Sequence, residues 1–178
     1  MFIFGLSGKR GAGKTTLANH LVRNHNFKKF SFAEELKNLA VLLFPFNGSD
    51  LTDPQKKESK WGGYDWTPRD FMIGLGEFMR YYDKNYWVNS ALRNVDNSTT
   101  FVVFDDVRYV NEADKIRELG GKVIRINRFQ HLNVYGKDLD IESEKQLDAY
   151  AFDHTIHDVA NQSLNDVPGQ ADLLINTF

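Results

Sequence analysis

Residues 8–15, Gly8-Lys9-Arg10-Gly11-Ala12-Gly13-Lys14-Thr15, fit the pattern G-x-x-x-x-G-K-[ST]. Each residue type has a chemical task in that pattern. The glycines let the backbone fold so that successive N–H groups converge on phosphate oxygens. A helix starting at Lys14 adds its positive N-terminal end. Lys14 brings a point charge to the β- and γ-phosphates of a nucleoside triphosphate, and the Thr15 hydroxyl can coordinate Mg²⁺. Gly8, Arg10, Gly11, Ala12, Gly13, Lys14, Thr15 and Thr16 are therefore the expected binding residues for ATP. The alternative is a chance Gly-rich turn, but a buried strand before the motif and a helix after it argue for the phosphate loop.

A second cluster lies at Phe101-Val102-Val103-Phe104-Asp105-Asp106, an apolar strand that delivers carboxylates at its C-terminal end. In a parallel sheet that end lies on the side of the phosphate loop, where a carboxylate can hold Mg²⁺ through a coordinated water. Alternation sends adjacent side chains to opposite faces, so only one of the two aspartates should face the metal. Periodicity does not choose between them, and one of them could instead cap the next helix. Arg108, just beyond, either reaches a phosphate or is a solvated loop residue.

A third cluster is helical. Arg69 and Arg80 are eleven residues apart, close to three turns, so they share a face with Gly76 between them; their Cα atoms lie about 16 Å apart along the axis. Gly76 would leave room for a flat or bulky group, and the face could serve both the phosphate and the base of a nucleotide. A solvated helix face gives the same spacing. Trp61, Trp66 and Trp87 either stack on a base or belong to the core. Arg125, Arg128 and Lys137 are candidates for a closing flap that contacts ATP. His154 and His157 are three apart in an expected strand, which splits them across faces and excludes a shared metal.

The elements that must position these groups can be read from the pattern. Phe2 to Ser7 reads as a buried strand, Lys14 to about His25 as a helix, Lys29 to Phe32 as a short strand, and Ala33 to Phe44 as a helix with Leu36, Leu39, Ala40 and Leu43 on one face. Pro45 to Trp66 reads as a surface excursion. Thr67-Pro68 starts a helix whose apolar stripe is Phe71, Leu75, Phe78, Met79 and Tyr82. Further helices are expected at Tyr86 to Val95 and Asn111 to Leu119, the latter closed by Gly120-Gly121, with strands at Phe101 to Phe104, Lys122 to Asn127 and His154 to His157, and a last helix at Pro168 to Ile175. Strands alternating with helices predict an α/β fold with a parallel sheet covered on both faces. Residues 45–95 and 129–150 interrupt the alternation and are candidate flaps.

The 178 residues suit one domain, and the charge balance of 22 Lys+Arg against 24 Asp+Glu offers no broad basic surface for nucleic acid or an anionic membrane. The absence of cysteine excludes disulfides and thiolate chemistry and suits a reducing cytosol. The apolar N-terminal stretch is too short for a signal peptide or a membrane span. A cytoplasmic protein is the expectation, and a homodimer is compatible with it.

Beyond the phosphate loop, four stretches give the chain a resemblance to the bacteriophage-type deoxynucleoside monophosphate kinases of the P-loop kinase superfamily. They are Phe30 to Lys37; Thr67-Pro68-Arg69 with Gly74 to Arg80 and Tyr86-Trp87-Val88; Asp106 to Ala113 with Ile116 to Gly121; and Ser143-Glu144 with Asp153 to His157. The resemblance implies a three-layer sandwich with strand order 2-3-1-4-5 and a helical monophosphate-binding insertion at about 45–95. It implies γ-phosphoryl transfer from Mg-ATP to a deoxynucleoside monophosphate, with small-molecule partners only. It favours Asp106 over Asp105, assigns Lys14, Asp106, Arg108 and Arg128 to catalysis, and makes Phe32, Lys37, Trp66, Arg69, Gly76, Glu77, Arg80, Trp87 and Arg108 the expected acceptor-binding set. Ile141 departs from the histidine common before Ser-Glu, and His157 from the usual asparagine. A dephospho-coenzyme A kinase, or a nucleotide-dependent switch or NTPase, are the rival readings.

Overall fold

The computed structural model describes residues 1–96, 98–127, 142–157, 169, 172, 173 and 175. Those residues form two compact units, residues Met1–Ser31 with Val95–Phe178, and Phe32–Asn94.

The first unit is built on β1 (Phe2–Ser7), β2 (Lys28–Phe30), β3 (Phe101–Val107), β4 (Lys122–Asn127) and β5 (His154–His157). All pairings are parallel, and the order is β2-β3-β1-β4-β5. This is the strand order the resemblance implied. A parallel sheet buried on both faces needs near-continuous apolar strands, and β1, β3 and β4 supply them. Phe4 and Leu6 of β1 pack with Val103, Ile124 and Ile126 against Leu17, Ala18 and Leu21 of helix α1 (Lys14–His25). The residue between them, Gly5, turns the other way, toward Val107 and toward Ile116 of helix α7 (Val110–Glu118). Alternation along β1 thus seats α1 and α7 on opposite faces. Phe4 stacks on Phe27 with centroids 5.4 Å apart. Helix α8 (Glu142–Lys145) also belongs to this unit.

The second unit holds α2 (Glu34–Leu43), α3 (Gly48–Thr52), α4 (Pro54–Lys57), α5 (Pro68–Tyr82) and α6 (Tyr86–Arg93). It begins at Phe32, so it includes α2 as well as residues 45–94. The expected excursion at 45–66 contains two short capped helices. The Asn47 side chain accepts from Ser49 and Asp50 N while Asp50 reaches back to Asn47 N, and Asp53 caps α4 ahead of Pro54. Its aromatic residues form one cluster: Trp61, Tyr64 and Trp66 stack and meet Phe44 edge-on, with Phe46 and Phe71 alongside, while Tyr64 stays 47% exposed.

The stripes differ from expectation. On α5 the buried residues are Pro68, Met72 and Gly76, while Phe78 is 58% and Tyr82 73% exposed. On α2 Ala40 is buried but Leu43 is 57% exposed. Aromatic residues crowd several sides of α5, so apolar periodicity alone pointed the helix about one position too far. Among the described residues no helix is long and apolar enough to cross a membrane.

Candidate active site

In the first unit the turn after β1 is shaped by close approach. A Cβ on Gly8 would stand 2.7 Å from the Ile126 carbonyl oxygen of β4, so only glycine fits there without moving backbone. Gly13, at the N-cap of α1, has φ 98, a left-handed conformation that other L-residues rarely adopt. Ala12 N donates to Lys9 O at 3.1 Å, and Leu17 N to Gly13 O at 3.0 Å. The Lys14 side chain doubles back across this turn, Nζ donating to Gly8 O at 2.6 Å and Lys9 O at 3.0 Å, and is 9% exposed. Thr15 and Thr16 are exposed on the first turn of α1, as are the amides of a helix start. The arrangement is a backbone cradle with a cation held across it, suited to a chain of phosphates.

Two further contacts brace the cradle. Lys9 Nζ pairs with Asp148 Oδ1 at 2.5 Å. Arg125, 8% exposed, donates to Ser7 Oγ at 3.2 Å and Asn127 Oδ1 at 3.2 Å, and lies 3.4 Å from Asp148 Oδ1. Its burial in β4 corrects the expectation that Arg125 belongs to a flap. Arg128 and Lys137, the other flap candidates, lie outside the described residues.

The carboxylates stand within β3, which runs on to Val107, rather than at its end. Gly5 pairs with Phe104 and Ser7 with Val107, so Leu6 faces two residues, Asp105 and Asp106. This one-residue slip is a bulge, and it interrupts the alternation on which the sequence argument relied. Asp106 Oδ2 accepts from Ser31 Oγ at 2.5 Å, and Asp105 Oδ2 lies 3.8 Å from Lys29 Nζ. Asp105 thus has a nearby lysine and Asp106 a hydroxyl. Ser31 was missed as a site residue; its place one residue past β2 was the available signal. Glu112 was also missed. It is 3% exposed and accepts from the backbone N of Arg108 at 2.8 Å and of Tyr109 at 3.1 Å, which fixes where Arg108 leaves the sheet.

A 34% identity over 148 residues links the chain to a protein of Acanthamoeba polyphaga mimivirus named "Putative deoxynucleotide monophosphate kinase", covering 72% of this chain and 75% of that one. The chain belongs to the deoxynucleotide monophosphate kinase family. As a member of that family it is a nucleotide kinase, a phosphotransferase. No family model matches the sequence. Among solved structures, shikimate kinase from Aquifex aeolicus has a TM-score of 0.47 at 16% identity, over 99% of this chain and 97% of that one. Dephospho-CoA kinase from Campylobacter jejuni has 0.45 at 16%, over 98% and 96%.

In this kinase the second unit carries the other predicted residues. Thr67 caps α5 reciprocally with Asp70, Oγ1 accepting from Asp70 N at 3.1 Å, and Pro68 follows at the first helical position. Arg69 Nη1 pairs with Glu58 Oε1 at 2.9 Å, and Arg80 Nη1 with Glu77 Oε1 at 3.3 Å. The room expected at Gly76 is taken by Arg80 itself, whose Nη1 lies 3.1 Å from where a Cβ would stand. The Gly76 carbonyl accepts from Trp87 Nε1 at 3.1 Å. Trp87 is 2% exposed, so of its two readings, stacking or core, the core one holds, and it is an interior residue that locks α6 to α5 rather than a lining residue of the acceptor site. Trp66 stacks with Trp61 and Tyr64, centroids 6.1 and 5.0 Å away. Lys37 pairs with Glu34 at 3.6 Å, and Phe32 is 3% exposed.

Proposed function

We propose that the chain transfers the γ-phosphoryl group of ATP to a deoxynucleoside 5′-monophosphate, giving a deoxynucleoside diphosphate and ADP. The observation that carries this reading is the loop at 8–15, with Lys14 folded across it, in a chain of this family. The acceptor oxygen of a monophosphate is already anionic near neutral pH, so no general base is needed. The difficulty is to bring two anionic groups into line and to exclude water, and positioning with charge neutralisation answers it.

The first unit supplies the donor side of this proposal. The loop amides and Lys14 hold and neutralise the β- and γ-phosphates, and Thr15 and Thr16 present hydroxyls at the start of α1. The donor set fits Mg²⁺: Thr15 and Asp106 offer hard oxygen ligands, one of them directly and one through water. Bound there, Mg²⁺ supplies charge neutralisation at the phosphates. Ser31 orients Asp106, and Glu112 sets the origin of Arg108, which we assign to phosphate contact. The second unit supplies acceptor binding through Arg69 and Arg80, with Glu77 as the partner of Arg80; Lys37 belongs to the same proposal, whereas Phe32, 3% exposed, is interior like Trp87. Arg128 is assigned to the donor phosphates on the resemblance alone. The substrates are small molecules in the cytoplasm, and nothing in the reaction calls for nucleic acid.

The test is an acceptor panel with γ-labelled ATP, comparing the four common deoxynucleoside monophosphates, their ribose counterparts and dephospho-CoA. Label should appear in one or more deoxynucleoside diphosphates. Release of label only as inorganic phosphate, or its transfer to dephospho-CoA alone, refutes the assignment.

A further inference from the structure

Outside the residues assigned to phosphoryl transfer, one cluster joins two distant parts of the first unit. His20 and His25 of α1 both direct Nε2 at the same oxygen, Asp172 Oδ1, at 2.6 and 2.7 Å. The three ligand atoms lie within 4.8 Å of one another. The imidazole centroids are 5.6 Å apart with planes tilted by 54°, so the rings converge without stacking face to face. The site is partly shielded, the side chains of His20, His25 and Asp172 being 16%, 26% and 45% exposed.

Two observations show that these groups are held in place. Asn24, one turn from His20 on the same helix, meets His20 Nδ1 through Nδ2 at 2.8 Å. An amide at that position serves either tautomer, because turning it over offers Oδ1 to an Nδ1–H and leaves Nε2 free to bind a cation. A partner on the far nitrogen is the usual way a ligating imidazole is oriented. Ile175, three residues beyond Asp172, packs against the core cluster that includes Leu17, Ala18 and Leu21 of α1. Apolar packing therefore keeps the carboxylate beside the two rings without help from the polar contact.

We propose that His20, His25 and Asp172 form a binding site for one divalent transition-metal cation, zinc first, which ties Asp172 to the C-terminal half of α1. Two imidazoles and a carboxylate make a borderline set that suits zinc, cobalt or nickel better than magnesium or calcium, which prefer all-oxygen shells. Ligand atoms around a tetrahedral zinc stand roughly 3.3 Å apart. The present 2.6 and 2.7 Å separations must open by about 0.7 Å, which the half-exposed Asp172 can supply by side-chain rotation. A fourth position would be left for water. His20 and His25 lie six and eleven residues past Lys14, about 9 and 16 Å along the helix axis. The site is separate from the phosphate loop, and the proposal does not depend on the acceptor assigned above.

Zinc titration of the EDTA-treated full chain, with magnesium already saturating, tests it by calorimetry and needs no turnover. One zinc per chain should bind with a dissociation constant in the micromolar range or tighter. His25→Gln and Asp172→Asn should each weaken binding at least about tenfold, and Asn24→Ala about tenfold through loss of ring orientation. Cobalt bound in place of zinc should give visible ligand-field bands that vanish in His20→Gln. Kinase activity with magnesium alone should be the same in all four variants. Absence of stoichiometric zinc binding by the wild-type chain overturns the proposal, and so does binding that persists unchanged in His20→Gln, His25→Gln and Asp172→Asn. Should one substitution unfold the chain, the exposed Asn24→Ala variant and the cobalt spectrum of the wild type still decide the matter.

Discussion

Replacing Gly76 by alanine should strengthen the helix and weaken acceptor binding together, which separates the two roles of this position. In the interior of α5, glycine costs about 1 kcal/mol relative to alanine. A buried methyl adds up to about 0.8 kcal/mol from apolar burial. The new Cβ would sit 3.6 Å from Leu36 Cδ2, an ordinary contact, but 3.1 Å from Arg80 Nη1. Ordinary separations begin near 3.5 Å, so the guanidinium must retreat by about 0.4 Å. Because Nη1 is the end of a flexible side chain, this costs the fold little. For a group that positions substrate, a displacement of 1 Å can cost about 10²-fold; on a logarithmic scale 0.4 Å costs roughly sixfold. Steady-state kinetics on Gly76→Ala should therefore show KM for the monophosphate raised about three- to tenfold, with KM for ATP unchanged. The melting temperature should rise by about 2–7 °C. Equal changes in both KM values, or none, would remove Arg80 from the acceptor site. A fall in melting temperature would mean that α2, α5 and α6 cannot accommodate a methyl where the contacts say they can.

Three other outcomes follow from the same geometry. Lys14→Ala should lower kcat at least about 10³-fold, in line with the loss of a charge aimed at the transferring group, while far-UV circular dichroism stays that of the wild type; near-normal kcat would refute the role of the loop. Asp106→Asn should cost kcat about 10²–10³-fold and Asp105→Asn much less, with the ranking read from single-turnover rates at saturating magnesium; the reverse order would move the functional carboxylate to Asp105. Burial and a hydrogen bond to Asp114 at 2.9 Å push the Tyr150 hydroxyl up to about 12. A pKa raised in the folded state stabilises the protein fully below the unfolded value near 10 and loses that contribution as pH rises through 12. Denaturant titrations should show the wild type losing about 1–2 kcal/mol between pH 10 and 12, after allowance for partial exposure, and Tyr150→Phe losing less; parallel curves would remove Tyr150 from the alkaline transition.

Much of the first unit was legible because local signals and burial agree there. The run Lys122 to Asn127 alternates between Gly120-Gly121 and a polar stretch, and β4 has those bounds. Phe2 to Ser7 and Lys14 to His25 were readable for the same reason: a buried strand, a glycine turn and a helix must follow one another. The bulge in β3 was not legible, because an extra residue leaves no trace in an apolar run; it exists only in the pairing of Leu6 with two aspartates. Nor was the buried side of α5, where glycine, invisible to a hydrophobic pattern, lies at the contact with α2 and α6. The short helices α3 and α4 were announced by Asn47-x-x-Asp50 and Asp53-Pro54, signals outweighed by the surrounding Gly and Pro. His20 and His25 are five apart, not the four that marks a shared helix face, and their carboxylate is 147 residues further on from His25.

The second unit is one uninterrupted segment, Phe32–Asn94, set into a chain whose other unit is made from two pieces. Such a layout behaves as a cassette. A single recombination event with crossovers near residues 31 and 95 would exchange α2 through α6 together and leave the loop at 8–15, Asp106 and Arg108 in their own sequence context. On the proposed assignment of acceptor binding to this unit, chimaeras joined at those two points are the variants in which a foreign acceptor preference should travel intact.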